Sequence, residues 1–367
     1  MYHKPNLPEL TLSALGETGH AELTIPVLKQ RSYTGNAPVI SSALADMPCA
    51  DLGMDGVLEK LNVTLRHIQF LNHTFHEMTD FGMVYAHLRP YWYKYDIAKI
   101  EDALRTAEEC DRKMWREVLV NDRITTWCVR PRRMWDLFAN RVVPDWIVCE
   151  ARQVGIMLIG NIACMGGQDR VHVYAMTPIN GYEWPVPVPK DANLDHIHIE
   201  MLNNRVEHAW LDVLCLQQEG GISEHLRLEE WKLDVPTIGE VYASPASVPL
   251  HLTPDYFESD QCWFRRVWTL QEITEDAIIG GETGDDIMET WRVILELASE
   301  MQNWVFSTLL DKVSGLSYLL NGLSIPIYDA KKSDADAWEE LMDVMLNVCR
   351  GKLFFYFPEP GNGKKYW

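Results

Sequence analysis

The chain has 367 residues, 47% of them hydrophobic, enough apolar material for two domains or one large domain with an extension, and too much for a disordered segment. Its 53 acidic side chains against 33 basic ones give a formal net charge of −20, a field that repels phosphate backbones and argues against nucleic acid as a partner. The N-terminus has no apolar core of signal-peptide length, and the longest apolar run, Val154–Cys164, is broken by Gly155, Gly160 and Asn161, so a cytoplasmic chain with no membrane span is expected. The eight cysteines (Cys49, Cys110, Cys128, Cys149, Cys164, Cys215, Cys262 and Cys349) form no C-x-x-C pair. Their apolar context reads as buried free thiols in a reduced compartment, not as a zinc knuckle.

Residues 1–48 are punctuated by Pro and Gly and read as an extended arm. From Asp51 a helix is expected, because Leu58, Leu61, Leu65, Ile68 and Leu71 recur at steps of three and four. His73 and His76 stand one turn apart, but no carboxylate completes a ligand set, so solvated or core-edge histidines account for them. The D-F-G letters that open Asp80–Trp92 lack the Gly-rich loop and H-R-D segment a kinase needs, and are read as chance. A second, charge-laced helix is expected over Asp96–Val120. Trp127–Trp146 then sets Arg130, Arg132, Arg133 and Arg141 among aromatic residues. Two readings stand: an anion or nucleotide cradle, or arginine stems stacked on Trp faces and paired with Asp136 and Asp145.

Val154–Cys164 reads as a buried strand, followed by a Gly-Gly turn and a second short strand over Val171–Met176. Gly181–Pro189 is expected to be an extended loop, because Pro at alternate positions forbids helix and most ladder bonds. A short helix follows at Leu194–Asn203, then a buried strand at Trp210–Leu216 with one carboxylate, Asp212, set inside it. The helix-prone Ser223–Leu233, then Pro236–Tyr242 and Trp263–Ile273, continue an α/β alternation. The C-terminal part reads as helices over Asp286–Leu310, Asp311–Leu320 and Asp336–Cys349, with a final strand at Lys352–Phe357.

Three stretches carry a resemblance. Trp210–Gln218 (WLDVLCLQQ), Ile238–Tyr242 (IGEVY) and Arg266–Glu272 (RVWTLQE) resemble, in order and spacing, the three blocks of the fungal heterokaryon-incompatibility (HET) domain. Pro131–Pro144, Thr177–Pro189 and Asp311–Leu320 are similar to the flanks of mushroom-type members, which extends the resemblance over most of the chain and implies that such a chain continues past Trp367. HET domains are similar to TIR domains. The resemblance therefore implies an α/β, flavodoxin-like parallel sheet core over residues 151–280, flanked by a helical region at 49–150 and a helical C-terminal region at 281–367. It also implies a non-self-recognition or cell-death effector that self-associates or meets another immune-type protein. Many TIR domains cleave NAD with a Glu just after a W-C-x-x-E-L type segment, and Trp268–Glu272 is similar to that segment. By that resemblance Glu272 is the catalytic carboxylate, with Asp212 lining the same crevice and Trp268, Trp210, Gln218, Arg266 and Arg133 binding substrate. NAD is then a substrate, and no cofactor is required.

The first HET block usually carries a serine–aromatic–tryptophan stretch, and the matching place here, Asn161–Gly166 (NIACMG), has neither serine nor tryptophan. That departure motivates a second reading, a non-enzymatic assembly adaptor that keeps the fold and has lost the pocket. A third reading starts from Asp285, Asp286 and Glu289, which with Asn303, Ser307 and Asp311 resemble the magnesium-diphosphate motifs of class I terpene cyclases, although the two sets stand much closer together here. Asp285 and Asp286 are equally what caps a helix starting near Ile287.

Overall fold

The computed structural model describes residues 9–13, 32–65, 78–90, 97–126, 129–148, 156–158, 172–189, 193–243, 309–319, 324–347 and 350. In chain order these hold β1 (Leu10–Ser13), β2 (Ser32–Gly35), α1 (Ser42–Ala45), α2 (Cys49–Thr64), α3 (Phe81–Leu88), α4 (Ile97–Glu117), β3 (Leu119–Val120) and β4 (Arg123–Ile124). Next come β5 (Arg133–Asp136), β6 (Arg141–Pro144), α5 (Asp145–Val148), β7 (Ile156–Leu158), β8 (His172–Ala175), a 3-10 turn at Pro178–Asn180, β9 (Val186–Pro189), α6 (Leu194–Asn203) and β10 (His208–Trp210). The last are α7 (Asp212–Cys215), α8 (Glu224–Asp234), α9 (Ile238–Ala243), α10 (Leu309–Leu319), β11 (Ile325–Pro326) and α11 (Asp334–Val344). The chain divides into two compact units: Met1–Lys113 with Arg132–Ala163 and Asp169–Ile222, and Met114–Pro131 with Cys164–Gln168 and Ser223–Trp367.

The first unit is built on a four-stranded sheet in the order β6-β5-β10-β7. The pairs β6/β5 and β5/β10 are antiparallel, and β10/β7 is parallel in the register His208↔Ile156, Ala209↔Met157, Trp210↔Leu158. The described sheet is thus mixed, with one parallel pair. The arginine-rich stretch supplies its β5–β6 hairpin. Asp136 makes the turn, its Oδ1 accepting from the Phe138 and Ala139 amides at 2.9 and 3.0 Å, and Asn140 takes the left-handed conformation (φ 50°) that Asn tolerates. α3 starts where the Asp80 carboxylate accepts from the Met83 amide at 2.9 Å, and it ends before Pro90. It lies tight on the hairpin: a Cβ on Gly82 would meet the Ala139 carbonyl at 3.1 Å and Ala45 at 3.1 Å.

The N-terminal stretch differs from a bare arm. β1 and β2 pair antiparallel, Val39 and Ile40 are buried, and the Ile40 amide donates to the Phe138 carbonyl at 2.9 Å. The expected proline loop also differs. Val186–Pro189 forms a ladder with β8 in the register Val173↔Val188 and Ala175↔Val186. Prolines at every second position put all the missing donors on one edge, which leaves the alternate valines to make the ladder bonds.

In the second unit α4 ends at Glu117 rather than at Val120, and β3 and β4 form a hairpin across Asn121 and Asp122. Both residues are left-handed (φ 52° and 57°), the pair of conformations a two-residue turn of right-twisted strands requires. β11 adds to β4, and Val118, Ile124, Val129, Leu233, Ile325 and Ile327 close one core around them. A second core gathers Val235, Leu310, Val313, Leu341 and Val344 between α10 and α11. Among the described residues no helix is long and apolar enough to cross a membrane.

Candidate functional site

Of the site residues expected from the sequence, Glu272, Trp268, Arg266, Asp285, Asp286 and Glu289 lie outside the described residues, as do the final strand at Lys352–Phe357 and the histidines His67, His73 and His76. Asp212, Trp210, Gln218 and Arg133 all lie in the first unit.

β10 carries its own apolar residues into the core. Trp210 is 2% exposed, so its ring offers no face to a ligand in this structure. The strand then stops. Asp212 is not inside it, as the apolar run implied, but opens the four-residue helix α7, with its Oδ1 accepting from the Val213 amide at 2.8 Å. An acid in this first turn complements the helix dipole, and a short polar side chain that bonds the next amide breaks a ladder in favour of a turn. Gln218 folds back on the same turn, its Nε2 donating to the carbonyls of Leu216 at 2.8 Å and Asp212 at 3.4 Å. Trp184 caps it from the side through an Nε1–H bond to the Val213 carbonyl at 3.0 Å, and the Arg133 guanidinium stands 5.2 Å over the Trp184 ring. Of the two readings of that arginine, stacking is the one observed, on a Trp from another segment.

Asp212 and Arg133 meet electrostatically at Cys215. Burial pushes this thiol up to about 12; the Leu211 backbone bond and the Arg133 charge act against that, and Asp212 acts with it. Cys215 is therefore an inert protonated thiol. Cys49 is also buried and pushed up, to about 11, by burial and the Asp80 charge, whereas Cys110 is exposed on α4. The arrangement around α7 is an acid, an amide and an arginine gathered where β10 ends.

Sequence reasoning missed a buried charge network behind this edge. Arg89, the residue that ends α3, donates through Nη1 to Glu207 and through Nη2 to Asp136 at 2.8 Å, and its guanidinium lies 4.8 Å over the Phe138 ring. Nη2 also stands 3.2 Å from His208 Nε2. Burial works to lower the Arg89 pKa, but Asp136 and Glu207 outweigh it and raise it above its ordinary value. Burial works to raise Asp136, but the Arg89 charge, His208 and the bonds from Arg89 and Ala139 hold it below the usual carboxylate range. Beside them His198 donates from Nε2 to the Leu137 carbonyl at 2.6 Å, and burial lowers its pKa to about 4.

The network ties the end of α3, the β5 turn and the start of β10 together, so it positions the strand that delivers Asp212. A second anchor lies nearby in the sequence. Arg141, 1% exposed, donates to Asp80 at 3.1 Å, Asp46 at 2.6 Å and the Asn140 carbonyl at 2.8 Å. Its partners are Asp46 and Asp80 rather than Asp136 and Asp145. Among the described residues no group of three or more His, Cys, Asp or Glu is placed to hold a metal ion.

No protein-family model, curated protein or solved structure matches this chain.

Proposed function

We propose that this chain is a HET-type effector of fungal non-self recognition that self-associates and cleaves NAD. The observation that carries the reading is the ordered set of motif blocks, WLDVLCLQQ at Trp210–Gln218, IGEVY at Ile238–Tyr242 and RVWTLQE at Arg266–Glu272. The position of Asp212, two residues past the end of a strand that pairs in parallel with β7, is compatible with it, because parallel α/β sheets hold ligands beyond the carboxyl ends of their strands.

In this reading water attacks the anomeric carbon of NAD, nicotinamide leaves with the bonding electrons, and the products are nicotinamide, ADP-ribose and a proton. The transition state is an oxocarbenium ion, which the Glu272 carboxylate stabilises by charge, as carboxylates do in glycoside hydrolysis. No metal or cofactor enters, and the chain acts in the cytoplasm without a membrane or nucleic acid.

The adaptor reading is favoured by one observation, the absence of serine and tryptophan from Asn161–Gly166. Expression in fungal cells separates the two. The effector reading expects loss of viability together with a fall in cellular NAD, both abolished by Glu272→Gln. Death that persists in Glu272→Gln with NAD unchanged overturns it in favour of the adaptor.

A further inference from the structure

The first unit holds an open cleft of about 430 Å³ that none of Arg133, Trp210, Asp212 and Gln218 lines. The volume lies within the range of about 300–1,000 Å³ typical of small-molecule sites. One wall is apolar and unusually bare. Val173 and Met176 on the β8 side are 46% and 51% exposed, and both line the cleft with Ala175, Ile179, Val188 and Leu194. The other wall is polar and rigid: Ser42, Asp46, Asn140 and Asp195.

Three of these polar groups, Ser42, Asn140 and Asp46, are held by neighbours. Asn140, 2% exposed, donates from Nδ2 to the Ser42 hydroxyl at 2.9 Å and accepts at Oδ1 from Trp135 Nε1 at 3.1 Å. Asp46 has one oxygen fixed by Arg141 at 2.6 Å, while its side chain stays 41% exposed. Carboxylate, hydroxyl and amide are thus preorganised before any ligand arrives.

The charges choose the ligand. Arg141 is one positive charge shared between the two carboxylates Asp46 and Asp80. No Lys, Arg or His is among the described residues that line the cleft. The α6 amides do not offer an anion site either, because Asn193 Oδ1 already accepts from the Asp195 and His196 amides at 2.7 and 3.4 Å. An anion would enter a negative field with no donor fork to meet it. An ammonium would find a fixed carboxylate, and an apolar body attached to it would cover Val173 and Met176.

We propose that this cleft binds a small organic cation, an amine carried on an apolar or aromatic body, a ligand different in kind from the dinucleotide of the proposed reaction. The amine pairs with Asp46, and the body lies against the β8 wall. Calorimetric titration with 2-phenylethylamine and tryptamine tests it, beside 3-phenylpropionate, which keeps the ring and reverses the charge. Saturable binding of the amines with no binding of the carboxylate is expected. Asp46→Asn should weaken amine binding at least about tenfold, the loss that about 1.4 kcal/mol produces. Because Asp46 also meets Arg141, a second variant, Ala175→Trp, fills the cleft from an exposed position without touching the network, and it should abolish binding with the melting temperature unchanged. Absence of saturable amine binding, equal binding of 3-phenylpropionate, or binding that survives Ala175→Trp overturns the proposal.

Discussion

Replacing Arg89 by Met should be among the most damaging single changes in the first unit, and its pH dependence should identify the cause. The guanidinium side chain is 6% exposed and faces Asp136 and Glu207, which are 0% and 11% exposed. Met fills much the same volume, so the loss is electrostatic: two buried carboxylates remain without their cation. Breaking a buried pair by removing one partner costs about 3–5 kcal/mol. At about 2–4 °C per kcal/mol for a unit of this size, the melting temperature should fall by about 6–20 °C. In the wild type the depressed Asp136 pKa contributes stability that is fully present above the unfolded value of about 3.9, and that is lost as pH falls through the folded pKa. Without Arg89 its main opposing charge is gone, and burial, against the remaining Ala139 bond, lifts the carboxyl above its unfolded value, so the variant gains stability as pH falls through that raised pKa. The second effect narrows the gap between the two proteins as pH drops from neutrality toward about 4, and the first adds to it only below that. Circular-dichroism melts at stepped pH read this directly, and Arg89→Lys, which keeps charge but not the fork, should fall between them. A gap that stays constant with pH, or a fall below about 2 °C at neutral pH, would refute the reasoning.

Other expectations follow from the same structure. His198 is held neutral with its pKa lowered to about 4 by burial, so the unfolded chain binds the extra proton first and stability should drop by roughly 3 kcal/mol between about pH 6.5 and 4. His198→Phe should flatten that part of the stability–pH curve in denaturant titrations; an unchanged slope would count against it. Asp80→Ala removes both the α3 cap on Met83 and a bond to buried Arg141, and should cost about 2–4 kcal/mol in urea unfolding, where a loss under about 1 kcal/mol would contradict the assignment. In the second unit a Cβ on Gly239 would overlap the Tyr318 ring, which the hydroxyl bond to Glu240 at 3.0 Å holds in place. Gly239→Ala should therefore destabilise by about 1–3 kcal/mol despite its better helix propensity, and a stabilised variant would show that the ring moves freely.

Local patterns in the sequence were the readable part. Leu194–Asn203 was legible to the residue because Asn193 is a natural cap and the apolar residues keep helical spacing. α8 and α10 lie within about two residues of the expected bounds for the same reason, whereas α11 ends at Val344, five residues before the expected Cys349, where Met345 turns extended. Turns without glycine were misread. The Leu137–Asn140 turn rests on an aspartate bonding its own backbone, and the β3–β4 turn on Asn121 and Asp122, so the arginine stretch and the end of α4 concealed two hairpins. The expected strand takes in Asp212 because Trp210–Leu216 is otherwise apolar, and a short apolar run does not separate a buried strand from a buried turn of helix. The Arg89 network was out of reach. Its partners Asp136 and Glu207 stand 47 and 118 residues away, and no periodicity in one sequence links charges over such distances.

The central claim is that Glu272 makes this chain an NAD-cleaving effector. The most direct measurement is nicotinamide release from NAD by the purified chain, followed over rising protein concentration and with a crowding agent, beside Glu272→Gln. The account predicts turnover that rises faster than the protein concentration, because self-association assembles the active form, and that is lost in the variant while the fold is kept. Equal turnover in both proteins would contradict the role of Glu272, and no turnover in either folded protein would contradict the enzyme itself.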